Sequence, residues 1–213
     1  MKCTKQTMLL YAVTDRSWTG EQTLYQQAEA ALRGGITCLQ LREKELDYQH
    51  FLVEAKQLQS LCRDYKVPFI INDNVEIALA CGADGIHVGQ HDMETAAVRT
   101  LIGSDKILGV SVQTVGQALA AEKNGADYLG VGAVFTTATK ADAGAVTLET
   151  LSAICRAVSI PVVAIGGITR QNISRLTGTR ADGVALVSAI FASQDIENEC
   201  CELLQQAQKM VQP

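Results

Sequence analysis

Charged and amide side chains stand at the ends of several short apolar runs, and their types suit the handling of a polyanion. The stretch "ITCLQLREKEL" leaves an apolar run through Gln40, Arg42 and Lys44. Residues i, i+2 and i+4 of a strand share a face, so a strand through these three would project them together. They are then either a solvated strand end or one wall of an anion site. Asn72 and Asp73 follow "PFII", and Gln90, His91 and Asp92 follow "GIHVG". Asp73 and Asp92 could share one hard cation, with water and phosphate oxygens completing its shell, which is the habit of Mg2+. The alternative for Asp73 is to cap the helix after it. A paired-carboxylate acid–base site lacks support, because aromatics make up only 5% of the chain and no sugar-binding cluster is present.

Further along, Ser111 and Gln113 follow "KILGV", and "FTTATKADAG" carries Thr136, Thr137, Thr139 and Lys140. A single surface lysine reads as a solvated charge. Arg42, Lys44 and Lys140 on one mouth would neutralise a highly charged ligand, with Arg42 suited to bidentate phosphate contact. Gly166-Gly167 and Val187-Ser188 end the last two runs, where a barrel binds phosphate through backbone N–H groups and a helix N-terminus. Two anion sites imply two phosphorylated ligands, or one with two ends. Other chemistries find no support. The histidines, 50, 87 and 91, are too scattered for a metal cluster, and His87 in "GIHVG" reads as a core or barrel residue. There is no nucleophile elbow and no phosphate-loop lysine, and "GVGAVF" lacks the context of a dinucleotide fingerprint.

The elements that must position these residues alternate. Apolar runs occur at 8–14, 37–42, 68–72, 85–89, 106–111, 128–135, 161–167 and 183–188. Segments of helical period separate them: 22–33, 48–65, 75–80, 93–102, 115–124, 148–158, the short 172–176, and a last helix at 196–211. Continuously apolar strands are buried on both faces. Eight β-then-α units in 213 residues predict a single-domain (β/α)8 TIM barrel, with a core over about 8–192 and a closing helix over about 196–211. A doubly wound sheet shares the alternation, and strand count separates the two. "CGADGIHVG", "NGADYLGVG" and "TRADGVALV" echo one another, with "RGGITCLQL" a looser relative. This is the mark of a repeated unit. It places Asp84, Asp127 and Asp182 at the N-terminal face, away from chemistry.

The net charge of −5 argues against nucleic-acid or anionic-membrane partners. Seven cysteines, an odd number with no CxxC pair, read as buried thiols in a reducing compartment. No signal peptide or membrane-length apolar run is seen, so a cytoplasmic protein is expected.

Taken together, "YAVTDR", "QLREK", "IINDNVEIALACGADGIHVGQHD", "GVSVQT", "DYLGVGAVFTTATKADAG", "AIGGI" and "GVALVSAI" resemble the thiamine-phosphate synthase family from residue 11 to residue 190. The resemblance implies a TIM barrel and a transferase. It would couple 4-amino-2-methyl-5-(diphosphooxymethyl)pyrimidine to a thiazole phosphate, usually carboxylated, yielding thiamine phosphate, diphosphate and, from the carboxylated substrate, CO2. It implies that Gln40, Leu41, Arg42, Glu43, Lys44, Asn72, Ser111 and Lys140 bind the pyrimidine diphosphate, with Arg42, Lys44, Ser111 and Lys140 catalytic. Thr137, Ala138, Thr139, Gly167, Val187 and Ser188 would bind the thiazole phosphate, and Asp73 and Asp92 one Mg2+. Ala133 and Thr136 stand where family members often carry proline, and Gln113 where histidine is frequent. The segment "TTATKADAGA" is the natural lid. A homodimer is compatible with such barrels, although no patch marks an interface. Two rivals share the fold: a thiazole tautomerase-like paralogue, and a non-catalytic thiazole-phosphate-binding regulator. Neither needs the full diphosphate and metal set. A phosphosugar isomerase would need a well-placed Glu or His base, and none stands out in the sequence.

Overall fold

The eight apolar runs become parallel strands because each carries an unbroken set of residues that can be buried on both faces. They are β1 (Leu10–Val13), β2 (Cys38–Leu41), β3 (Phe69–Asn72), β4 (Gly85–Val88), β5 (Ile107–Val112), β6 (Tyr128–Val131), β7 (Val162–Ile165) and β8 (Gly183–Leu186). Strand order follows the chain, and β8 pairs with β1 to close the barrel. The computed structural model describes residues 3–90, 92–136 and 145–212.

Helices α1 (Leu24–Arg33), α2 (Tyr48–Tyr65), α3 (Val75–Ala80), α4 (Thr95–Ile102), α5 (Val115–Lys123) and α6 (Leu148–Ala157) follow the first six strands. After β8 come α7 (Ser188–Phe191) and α8 (Ile196–Val211). The bounds of α2, α3 and α8 are those read from the sequence. Helix α1 starts two residues later than expected because Thr23 caps it, in a reciprocal box with Gln26. The 172–176 segment is a single 3-10 turn, Ile173–Leu176, rather than an α-helix. Asn172 is drawn out of the helical path because its side chain accepts from the Thr169 N–H.

Alternation along each strand divides the core in two. Leu39, Leu41, Ile71, Ile86, Val110 and Leu129 face the helices and form the large outer layer. Met8, Tyr11, Cys38, Ile70, Ile107, Tyr128 and Val163 fill the bore. Burial of each large outer-layer side chain stabilises the fold by about 1.5–3 kcal/mol. The bore seats two of its three rings by placing glycine beside them: a Cβ on Gly109 would collide with the Tyr128 ring, and one on Gly130 would press on His87.

The repeated echo has a physical cause. Asp84, Asp127 and Asp182 accept from the backbone N–H of Phe69, Leu108 and Val162, at 3.0, 2.8 and 2.9 Å. Thr37 does the same for Leu10 at 2.9 Å. Each side chain therefore ties the start of an even-numbered strand to the odd-numbered strand before it. Two residues earlier the backbone is left-handed every time, at Gly35, Gly82, Gly125 and Arg180 (φ 89, 70, 92 and 68). The four copies hold the face opposite the site, as expected.

Candidate active site

A cavity of about 310 Å³ opens at the C-terminal mouth. Its floor comes from inward residues of the strands and its rim from the loops after them. Gln40 is buried on β2 and donates through Nε2 to the Tyr11 hydroxyl at 2.7 Å. Across the bore, Ser111 on β5 lies 2.8 Å from His87 Nε2, and His87 Nδ1 lies 2.9 Å from the Tyr128 hydroxyl. The two tyrosine hydroxyls are 2.8 Å apart, so one polar network crosses an otherwise apolar bore. Burial pushes both tyrosines well above their ordinary pKa, so they remain neutral hydrogen-bonding groups.

Gln40, Arg42 and Lys44 do not share one strand face, because β2 stops at Leu41. There the chain turns: Thr14, fully buried, accepts from the Arg42 N–H at 3.0 Å, and its own N–H donates to the Gln40 carbonyl at 2.9 Å. Gln40 and Arg42 both line the cavity, while Lys44 is exposed beside it. Leu41 points its side chain into the outer layer, so only its backbone faces the mouth. Glu43 is turned away from the ligand space, with Arg16 on one oxygen and backbone N–H groups on the other.

Asn72 lines the cavity at the end of β3. The helix-capping alternative for Asp73 fails, because Asn74 is the cap and accepts from the Ile77 N–H at 2.9 Å. Asp73 instead adopts a left-handed backbone (φ 61), with its N–H on the His87 carbonyl at 2.8 Å. This conformation sets its carboxylate within hydrogen-bonding reach of Asp92. Burial and the Asp92 charge push Asp73 up to about 6, against the pull of Asn72 and the Lys44 ammonium. The Gly89 N–H holds Asp92 from behind at 2.6 Å.

The opposite rim is glycine backbone. Gly166 and Gly167 are left-handed (φ 98 and 64), and a Cβ on either would strike the Ala133–Thr136 segment. That segment leaves β6 at Val131, earlier than the apolar run suggested. Val134 and Phe135 donate from their N–H groups to Ile165 and Gly166, and this crossing draws them off the sheet. The Asn172 side chain donates to the Gly167 carbonyl at 2.8 Å. Val187 and Ser188 complete this rim where α7 begins.

The family model for thiamine monophosphate synthase matches residues 10–190. The chain belongs to the thiamine monophosphate synthase family. A thiamine-phosphate synthase of Ruminiclostridium cellulolyticum is 50% identical over 196 residues, covering 92% of this chain and 93% of that one. One of Clostridium acetobutylicum is 48% identical over 190 residues, covering 89% and 90%. The solved thiamine phosphate pyrophosphorylase of Pyrococcus furiosus superposes with a TM-score of 0.90 at 36% identity, covering 98% and 99%. The activity is that of a thiamine-phosphate synthase, a transferase of thiamine biosynthesis, and neither a tautomerase nor a regulator is favoured.

In this member of the thiamine monophosphate synthase family, Gln40, Arg42, Asn72, Ser111, Gly167, Val187 and Ser188 share one cavity. Asp73, next to Asn72 in the chain, interacts with both Asp92 and Lys44. Thr137, Ala138, Thr139 and Lys140 lie outside the described residues, as does His91. Reading the residues in sequence missed His87, Tyr11 and Tyr128 as part of the site. They sit inside apolar runs, and only their register across the closed barrel brings them together. It also missed Asn172, which carries no motif of its own.

Proposed function

We propose that this cavity couples the pyrimidine diphosphate to the thiazole phosphate with the diphosphate at the β2–β4 rim and the thiazole phosphate at the β7–β8 rim. The observation that carries this reading is the polarity of the mouth. Arg42, Lys44, Asn72 and the Asp73–Asp92 pair stand on one side, and the glycine backbone with Ser188 on the other.

The donor set of the first rim fits Mg2+. Two oxygen-bearing side chains face each other closely enough that their repulsion raises one of them, a cost a divalent cation relieves. Among the described residues no third His, Cys, Asp or Glu joins them. A site of two carboxylates leaves the remaining positions to water and phosphate oxygens, which is the coordination Mg2+ prefers. Asp73 and Asp92 would hold the ion, and it would supply charge neutralisation at the diphosphate.

The residues of the chain do the rest. Gln40, with Nε2 committed to Tyr11, presents its carbonyl oxygen to the 4-amino group of the pyrimidine. Electron release from that amine lets the methylene C–O bond break first, and the bonding pair departs with the diphosphate. Arg42, Lys44, Asn72 and Lys140 stabilise the growing charge on the leaving oxygens, which acts on the transition state more than on the ground state. Gly167, Val187, Ser188 and the Thr137–Thr139 segment hold the thiazole phosphate so that the ring nitrogen faces the methylene carbon. Its lone pair then forms the C–N bond, and with the carboxylated substrate CO2 leaves afterwards. Placement of the two rings, not proton transfer, limits the bond-forming step, so no general base is required.

A cytoplasmic location and a homodimer complete the proposal. The first is supported by seven cysteines that are all free thiols, and no described helix is long and apolar enough to cross a membrane. Sedimentation tests the second. The primary test is thiamine phosphate formation from the two phosphorylated heterocycles, with Mg2+ and with excess chelator. Product only with metal supports the whole reading. Undiminished product with chelator would remove the metal from it.

A further inference from the structure

Two adjacent dipeptides face each other at the mouth with their charges crossed: Asp15-Arg16 after β1 and Arg42-Glu43 after β2. Arg42 Nη1 lies 3.2 Å from Asp15 Oδ2. Arg16 donates through Nε and Nη2 to Glu43 Oε2, at 2.9 and 2.5 Å, and through Nη2 to Glu54 Oε2 on α2 at 2.8 Å. The other Glu43 oxygen accepts from three successive backbone N–H groups, those of Lys44, Glu45 and Leu46, at 2.7, 2.7 and 3.3 Å. Its side chain is only 2% exposed. A surface ion pair contributes little; a buried carboxylate with both oxygens committed is a structural centre, and loss of one partner strands the charge.

We propose that Arg16 is a positioning residue for the coupling reaction: through Glu43 it fixes the 42–46 turn, and so the places of Arg42 and Lys44 around the diphosphate. The inference rests on the diphosphate assignment under Proposed function. The turn needs such a device, because it brings two cationic side chains to one small mouth, where they repel each other. Three N–H groups folded around one carboxylate oxygen curl the backbone tightly, and Arg16 keeps that oxygen pair charged and in place. Burial alone would push Glu43 up; the N–H groups of Glu45 and Lys44, with Arg16, outweigh it and hold the carboxyl below its usual range. Glu54 anchors Arg16 to the first turns of α2, so the turn is referenced to the helix layer rather than to solvent. Both Glu43 oxygens are occupied, so its part in binding is indirect.

The test compares wild type with Arg16→Ala, Arg16→Lys, Glu54→Gln and Arg42→Ala. Readouts are inorganic diphosphate binding by calorimetry with Mg2+, KM for each substrate, kcat and Tm. Arg16→Ala is expected to weaken diphosphate binding and raise KM for the pyrimidine diphosphate about tenfold, and to lower kcat about as much. KM for the thiazole phosphate stays within twofold. Arg16→Lys, which keeps the charge but loses the fork, restores part of the loss. A fall in Tm with both diphosphate affinity and KM unchanged would make Arg16 merely structural and overturn the proposal. Should Arg16→Ala not fold, Arg16→Lys and Glu54→Gln decide: a several-fold loss specific to the diphosphate substrate supports it, and wild-type values in both overturn it. If Arg42→Ala weakens diphosphate binding while Arg16→Ala does not, the positioning role alone falls. If Arg42→Ala also binds normally, the diphosphate assignment itself is wrong and the positioning role falls with it.

Discussion

Gln40 and Ser111 stand on different sides of the bore, on β2 and β5, yet an unbroken chain of hydrogen bonds joins them. It runs from Gln40 to Tyr11, Tyr128, His87 and Ser111, each step 2.7 to 2.9 Å. Only its first step has a fixed direction, Gln40 Nε2 donating to Tyr11. One polarity that satisfies every later step has each hydroxyl pass one proton on, with His87 accepting at Nδ1 and donating from Nε2 and the Ser111 hydroxyl hydrogen offered to the cavity. In that polarity the two side chains that would read the pyrimidine have their donor and acceptor ends set together. Tyr128→Phe removes the central hydroxyl and leaves two buried partners short of a bond. The expected cost is about 1–3 kcal/mol of stability, with KM for the pyrimidine diphosphate raised about tenfold. Thermal unfolding and steady-state kinetics check both, and an unchanged KM would show that the chain does not orient the reading groups.

The same chain can be disturbed without touching any of its members. Gly109 lies on β5 directly against the Tyr128 ring, and a Cβ there would occupy the ring's place. Gly109→Ala is expected to displace Tyr128 at a cost of about 1–3 kcal/mol from overpacking. It should also reproduce the kinetic effect of Tyr128→Phe. Wild-type kinetics in a folded Gly109→Ala protein would mean that the ring's position is not what sets the pyrimidine contacts.

For the carboxylate pair, Asp73→Asn removes one charge and the repulsion with it. The metal-free variant is expected to be as stable as wild type or slightly more so, because the strained pair is gone. Mg2+ should stabilise wild type against heat and leave Asp73→Asn unchanged, since ligand binding to the folded state alone raises Tm. Coupling should fall at least a hundredfold in the variant while thiazole phosphate binding survives. Full coupling by Asp73→Asn would sink the metal assignment.

How far the residues announced this site depends on where each one sits. The eight strands were legible because continuous apolar runs between helical segments leave few architectures, and the Asp84, Asp127 and Asp182 echo fixed which end of the barrel was structural. The places of Arg42, Asn72, Asp73 and Asp92 after their strands were legible because polar residues at strand ends are conspicuous; their roles are those proposed above. His87 was not. Within "GIHVG" it satisfies every test for a core residue, and it is one; its second role appears only when β4, β5 and β6 are set side by side. Glu43 differs. The resemblance implied ligand contact for it, and adjacency to Arg42 carries no information about which way a side chain turns after a strand has ended at Leu41. The exchange partner that claims it, Arg16, is 27 residues away.

The glycine rim proposed for the thiazole phosphate offers an independent handle. Gly167 has φ 64, and a Cβ there would strike the backbone of Phe135 and Thr136. Gly167→Ala combines left-handed strain with this collision, so the two rim segments must separate. KM for the thiazole phosphate is expected to rise about tenfold while diphosphate binding stays within twofold. This is the mirror image of the outcome expected for Arg16→Ala, and the pair of variants tests whether the mouth has two separable ends. A Gly167→Ala protein that loses both substrates equally would argue for one shared anion site.

The lowered Glu43 carboxyl makes the 42–46 turn a matter of pH in one window only. A carboxyl held below its unfolded value contributes stability that is complete above that value, about 4.3 for glutamate. It is lost as pH falls through the lowered value. Glu54 is pushed up by burial, with a smaller push from the Glu43 charge, against the pull of Arg16, so its titration moves down in the variant and adds to the difference only in the acid range. Wild type should therefore exceed Glu43→Gln in stability by about 2 kcal/mol, the scale of hydrogen bonds to a charged group. The difference should be constant from about pH 6 to 8 and shrink below about pH 4. Unfolding of both proteins across pH 3 to 8 measures it directly. A difference that grew toward acid would mean that Glu43 is held in its protonated form, and the crossed pairing with Arg16 would not be the force that shapes the turn.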